Sequence, residues 1–314
     1  MSSHGDSPRR PARNTGRVAD GSASGDDARL SSVDIAFLVY IPVVLVVVFL
    51  LPMELRRELA LLYTEPSLRS MYASHFVHFD FLHLAANLLV YLLVVPFSLA
   101  VSVWSGQRRR FYLVAFTILV AFPPVLSGLN VLFPPPQIGM GSSAMNLAFV
   151  GFSGMNLAFV GYLPHVLAAH FEAERPEWTQ TSSAFLQLAF FVGMVIVAVR
   201  VAGSLNGVPR VGLGLLLLAG AGSLLAAIGY TRYVASYLRS QGLTGGTVPP
   251  LTAFGSLLFV LLVIVGFPVV SPEGSSFVNL LLHLLGFSFG YIVPYIVFQV
   301  LEICLGTMPY LTDS

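Results

Sequence analysis

HFDFLHLAANLLVYLLVVPFSLAVSVW, residues 78–104, sets the solvent in which this chain folds. From Phe81 to Trp104 there is no Asp, Glu or Arg, and apolar residues fill every face that a helix of this length would present. A helix needs about 20 such residues to cross the hydrocarbon core of a bilayer. The stretch therefore predicts a membrane-spanning helix over roughly 81–104. Its first turns nevertheless carry His83 and Asn87, four residues apart and so on one helical face, with His78 just before them. Polar side chains in a span are costly and mark functional candidates. The competing reading is a set of hydrogen bonds between helices.

Working outward, the whole chain has the same character. Of its 314 residues 56% are hydrophobic and 10% charged, with a mean hydropathy of +0.81, more apolar surface than a soluble core of this size hides. Eight segments qualify as spans, at about 33–52, 81–104, 111–133, 151–171, 184–204, 211–230, 251–270 and 277–301. This predicts an all-α, polytopic transmembrane helix bundle. Residues 1–31 are polar and without an apolar run, and read as a disordered cytoplasmic tail; 32–304 form the membrane domain and 305–314 a short C-terminal tail. With the N-terminus inside, eleven arginines (Arg9, Arg10, Arg13, Arg17, Arg29, Arg108, Arg109, Arg110, Arg175, Arg232 and Arg239) fall on the cytoplasmic side and only Arg56, Arg57, Arg69 and Arg210 outside. That asymmetry favours a multi-pass protein of the cell membrane in this orientation. The segment 53–80 mixes apolar with charged residues and predicts a partly helical loop at the outer interface. A net charge of +1 argues against a nucleic-acid partner, and the single Cys304 excludes an intramolecular disulfide.

Two further clusters interrupt the apolar segments. Gly151-Phe152-Ser153-Gly154 opens the fourth span after Pro134-Pro135-Pro136. A serine at a helix N-terminus sits among unpaired amides at the positive end of the dipole, which suits a developing oxyanion; it is equally an ordinary N-cap. In the last span His283, Gly286 and Gly290 share one face, where the glycines allow a neighbouring helix to press closely and bring the imidazole against it. No second histidine or carboxylate stands at ligand spacing from His283, so neither metal nor cofactor is expected. Arg200 and Glu302 read as structural or snorkelling residues. Three spans separate Ser153 from His283, so both lie in helices running from outside to inside, at similar depth, and His83 and Asn87 start a third helix at that depth. Nucleophile, base and oxyanion donors can converge there. Nearby, GSSAMNLAFV at 141–150 is nearly repeated as GFSGMNLAFV at 151–160, a local duplication that offers Ser143 as an alternative nucleophile.

These motifs, namely His78-FDFL-His83-LAA-Asn87, Gly151-x-Ser153-Gly154 followed by MNLAFVGYLP, and His283-x-x-Gly286-x-x-x-Gly290, resemble the rhomboid family of intramembrane serine proteases. The resemblance implies a six-helix core with about two additional spans and a serine endopeptidase that cuts transmembrane segments of other membrane proteins. It implies Ser153 as nucleophile, His283 as general base, and an oxyanion hole of His83, Asn87 and the Ser153 amide, with His78, Gly151, Gly154, Gly286 and Gly290 in support. The chain departs from the family pattern in four ways. It has no Trp-Arg pair in the first loop, where only Arg69 stands nearby; it has Leu157 where many members carry a tyrosine; it has two extra spans between the serine and the histidine; and it duplicates the serine segment, so that Ser143 competes with Ser153. A catalytically inactive relative that binds and routes membrane-protein clients is the alternative, and a transporter using His83, Asn87 and Arg200 a second.

Overall fold

The computed structural model describes residues 29–133, 148–175, 188–197, 249–267 and 280–305. Nine helices occupy these residues: α1 (Ser32–Phe49), α2 (Met53–Leu59), α3 (Leu68–Ala73), α4 (Phe81–Trp104), α5 (Arg108–Leu132), α6 (Ser153–Glu174), α7 (Leu188–Val197), α8 (Pro250–Gly266) and α9 (Leu280–Leu305). Four of them, α1, α4, α5 and α9, are long and apolar enough to cross a membrane. The protein is thus a mostly helical bundle with several candidate spans. The expected segment at 211–230, and with it Arg200 and Ser143, lies outside the described residues.

α6 is not among those four, and the bundle explains why. Every residue from Gly154 to Ala168 is buried, so the helix is enclosed by its neighbours, chiefly α4, α8 and α9. A helix with no lipid-facing stripe need not be uniformly apolar, and α6 accommodates Asn156, Gly161, Pro164, His165 and His170. α1 is the opposite case, with most of its apolar side chains exposed on the bundle surface.

The most extensive packing in the fold is α6 against α9. Glycines set it. A Cβ on Gly286 would overlap the carbonyl of Gly154, one on Gly290 the carbonyl of Ala158, and one on Gly161 the carbonyl of Phe287. The two backbones therefore touch directly, as small-residue spacing permits between membrane helices. Further along, the His165 Nε2–H donates to Tyr291 O at 2.8 Å and locks the same pair.

Between α1 and α4 the chain folds into α2, a two-residue strand β1 (Leu61–Leu62), α3 and a short 3₁₀ turn, Ser74–Phe76. β1 pairs antiparallel with β2 (Ala148–Phe149), which ties this loop to the segment preceding α6. The loop also docks on α5. Pro123 has no N–H to give to Leu119 O, and the helix passes through a π turn at Thr117–Ala121; the Tyr72 hydroxyl donates to the Leu119 carbonyl at 3.0 Å. Arg56 anchors the loop from within, its Nη1 donating to His78 O at 2.8 Å while the guanidinium lies over the Phe49 ring. Arg69, the arginine expected nearest that role, is exposed.

Candidate functional site

Ser153 is the first residue of α6, and no side chain caps that helix end. Its first-turn amides are therefore left for another acceptor. Gly151 delivers the serine to this position with φ +120°, a conformation that side-chain-bearing residues rarely adopt. A Cβ there would also stand 2.6 Å from His83 Cε1, so the glycine backbone lies against the His83 ring.

His283 sits one turn into α9. Its Nε2 is 2.7 Å from Ser153 Oγ, and its Nδ1 is 2.6 Å from Gly266 O. A carbonyl only accepts, so Nδ1 carries the proton and donates it to Gly266; Nε2 then presents its lone pair to the serine hydroxyl, which donates to it. The tautomer required of a general base is fixed by the last carbonyl of α8. Phe267 packs edge-on against the imidazole at 6.1 Å between ring centroids. Leu157, one turn below Ser153, is buried against Gly266, where a side chain on the glycine would collide with it. It fills the floor of the site where the family pattern has a tyrosine.

Asp80 caps α4 by accepting from the His83 backbone N–H at 2.7 Å, which fixes where the next turns begin. Asn87 is buried one turn later. Its Nδ2 donates to His83 O at 3.0 Å, while its Oδ1 and backbone carbonyl accept from Asn156 Nδ2 at 3.1 and 2.9 Å. The orientation of the Asn87 amide is thereby set from α6. His78 is fully buried, its ring 4.8 Å from that of His83 in an edge-to-face arrangement. Burial first, and then the nearby His83 charge, push His78 down to about 3 against the opposing influence of the Phe76 backbone and Asp80, so it is a neutral wall of the site. Among the described residues no three His, Cys, Asp or Glu side chains gather as a metal site would need.

In comparisons with known proteins, no family model, no curated protein and no solved structure matches the chain.

The structure brings Ser153 to His283, Gly151 to His83, His78 to His83, and Gly286 to Gly154. Three contributors were not singled out in the sequence. Asn156 carried a visible signal, an amide in an apolar run three residues after the serine. Gly266 acts through a carbonyl, which no residue type announces. His75, fully buried in the 3₁₀ turn, looked like one of several loop residues.

Proposed function

We propose that this protein is a rhomboid-type intramembrane serine endopeptidase that hydrolyses transmembrane segments of other membrane proteins with a Ser153–His283 dyad. The observation that carries the reading is the 2.7 Å contact between Ser153 Oγ and an imidazole whose other nitrogen is committed to Gly266 O. α1, α4, α5, α6, α8 and α9 form the six-helix core in this reading, with additional spans between α6 and α8. The N-terminus is cytoplasmic, the protein resides in the cell membrane, and the site opens in the outer half of the bilayer. The neighbouring lipid and the substrate span are its partners.

In the reaction Ser153 Oγ attacks the scissile carbonyl carbon as His283 Nε2 takes the hydroxyl proton. The carbonyl oxygen becomes an oxyanion that receives hydrogen bonds from the Ser153 amide, the second Asn87 Nδ2–H and the His83 ring. Collapse breaks the C–N bond, and His283 returns the proton to the leaving amine. A water then repeats the sequence on the acyl-enzyme, losing its proton to Nε2, and releases the new carboxyl end. Gly266 keeps the imidazole in one tautomer throughout. A substrate helix must unwind locally for its peptide bond to enter, since a hydrogen-bonded helical carbonyl is shielded.

A fluorophosphonate probe followed by peptide mapping tests the reading. Modification of Ser153 in the wild type, absent in His283→Ala, is the expected result. Modification of Ser143 instead moves the nucleophile to the first copy of the repeat. A wild type that neither reacts nor cleaves model transmembrane substrates favours the client-binding alternative.

A further inference from the structure

His75 lies outside the proposed dyad and oxyanion hole, yet it sits where the loop, α5 and the turn leading into the serine come together. It is fully buried. Its Nε2 is 3.0 Å from Pro123 O and 2.9 Å from Ser127 Oγ, both on α5. Ser127 Oγ spends its own proton on Met71 O at 2.7 Å, so towards His75 it can only accept. Pro123 O is likewise an acceptor. A single Nε2–H therefore serves two acceptors on one helix. The carbonyl of the residue preceding His75, Ser74, accepts the Gly151 N–H at 3.0 Å.

The consequence is a two-step clamp. The His75 ring pins the 3₁₀ turn Ser74–Phe76 to α5, the carbonyl of Ser74 in that same turn holds the Gly151 N–H, and Gly151 is two residues before Ser153. The Gly151 turn has no side chain of its own with which to hold its unusual backbone angle, so its position has to be imposed from outside. An apolar residue at 75 would leave Pro123 O and Ser127 Oγ without this donor inside the bundle and would release one side of the turn.

We propose that His75 is a positioning residue that holds the Gly151 turn, and through it Ser153 Oγ, within hydrogen-bonding distance of His283. The assignment rests on the reading of Ser153 and His283 as the catalytic pair. A neutral Nε2–H donor is what the position requires, so a glutamine, whose amide nitrogen reaches about as far, substitutes for it better than leucine does.

The test compares His75→Leu and His75→Gln with the wild type in detergent. It uses hydrogen exchange of the Gly151 amide, cleavage of a model transmembrane substrate and the thermal midpoint. His75→Leu is expected to speed Gly151 exchange and to lower kcat, each by about tenfold or more, with KM nearly unchanged, since displacements of about 1 Å at a reacting centre carry costs of this size. His75→Gln is expected to recover most of both. Unchanged Gly151 exchange in His75→Leu overturns the proposal. So does a His75→Gln protein as impaired as His75→Leu with an equal fall in thermal midpoint, because the ring then acts by packing alone. If the wild type cleaves nothing, the proteolytic reading fails, while the exchange comparison still decides whether His75 holds the turn.

Discussion

Asn87 has two N–H bonds on its amide, and one of them is spent on the His83 carbonyl. The other is the donor that the proposed oxyanion would use, and Asn156 keeps it aimed by occupying the amide's oxygen. Asn87→Ala is therefore expected to lower kcat by about 10²-fold, the usual cost of one oxyanion donor, with little change in KM for a model transmembrane substrate. An equal loss appearing in KM alone would assign Asn87 to substrate binding instead. Gly151→Ala acts through the backbone: φ +120° and the His83 ring both oppose a methyl group, so labelling of Ser153 should fall at least as far as in Asn87→Ala. The histidines and the serine were legible in the sequence because a polar side chain in an apolar run has no bland surface to occupy. The Gly266 carbonyl was not, since every residue has one and only the fold selects which is bare. His75 escaped for a related reason: in a loop already containing Ser, Arg and Glu, one more polar residue carries no contrast.

At the level of elements, the two sides of one glycine rule can be compared in the same bundle. Gly286 faces the Gly154 carbonyl with no room for a Cβ, and a backbone cannot rotate aside as a side chain can. Gly286→Ala should force α9 away from α6, costing about 1–3 kcal/mol and lengthening the Ser153–His283 contact, read as a lower thermal midpoint together with slower fluorophosphonate labelling. A Cβ on Gly128 in α5 would meet nothing within 4 Å. Gly128→Ala should be neutral or stabilising by up to about 1 kcal/mol, because only the helix preference of alanine remains. Hydropathy located α1, α4, α5 and α9 well because each leaves much of its apolar surface outside the protein interior. It carried less information for α6, whose neighbours are all protein. The duplication shows the limit of local reading most directly. MNLAFV occurs at 145–150 and again at 155–160, yet Ala148–Phe149 is a strand paired to Leu61–Leu62 while Ala158 and Phe159 lie inside α6. The same residues take the form of whichever partner is available, a strand edge in one case and the α9 glycine face in the other.

For the molecule as a whole, the loop tied to the Gly151 turn stores a dependence on pH. His75 is pushed down to about 4 by burial, which outweighs the opposing Pro123 and Gly151 backbone contacts, and His78 is pushed down to about 3. Both are neutral in the folded protein, whereas in an unfolded loop each would titrate near 6.5. Below about 6.5 the unfolded loop thus binds protons that the folded loop refuses, and the equilibrium moves towards unfolding. Above that value the two forms are equally neutral at these positions and pH has no leverage through them. Stability should accordingly hold from about pH 8 down to about 6.5 and then decline by about 1.4 kcal/mol per histidine for each further unit, until pH approaches the folded values. The groups facing these rings are His83 and Asp80 for His78, and uncharged carbonyls and the Ser127 hydroxyl for His75. The measurement is the thermal midpoint against pH in detergent for the wild type and for His75→Gln. The variant removes one of the two titrations, so its midpoint should fall less steeply between about pH 6.5 and 4. Parallel slopes for the two proteins would mean that His75 is protonated without unfolding, and that the loop clamp is looser in solution than its hydrogen bonds imply.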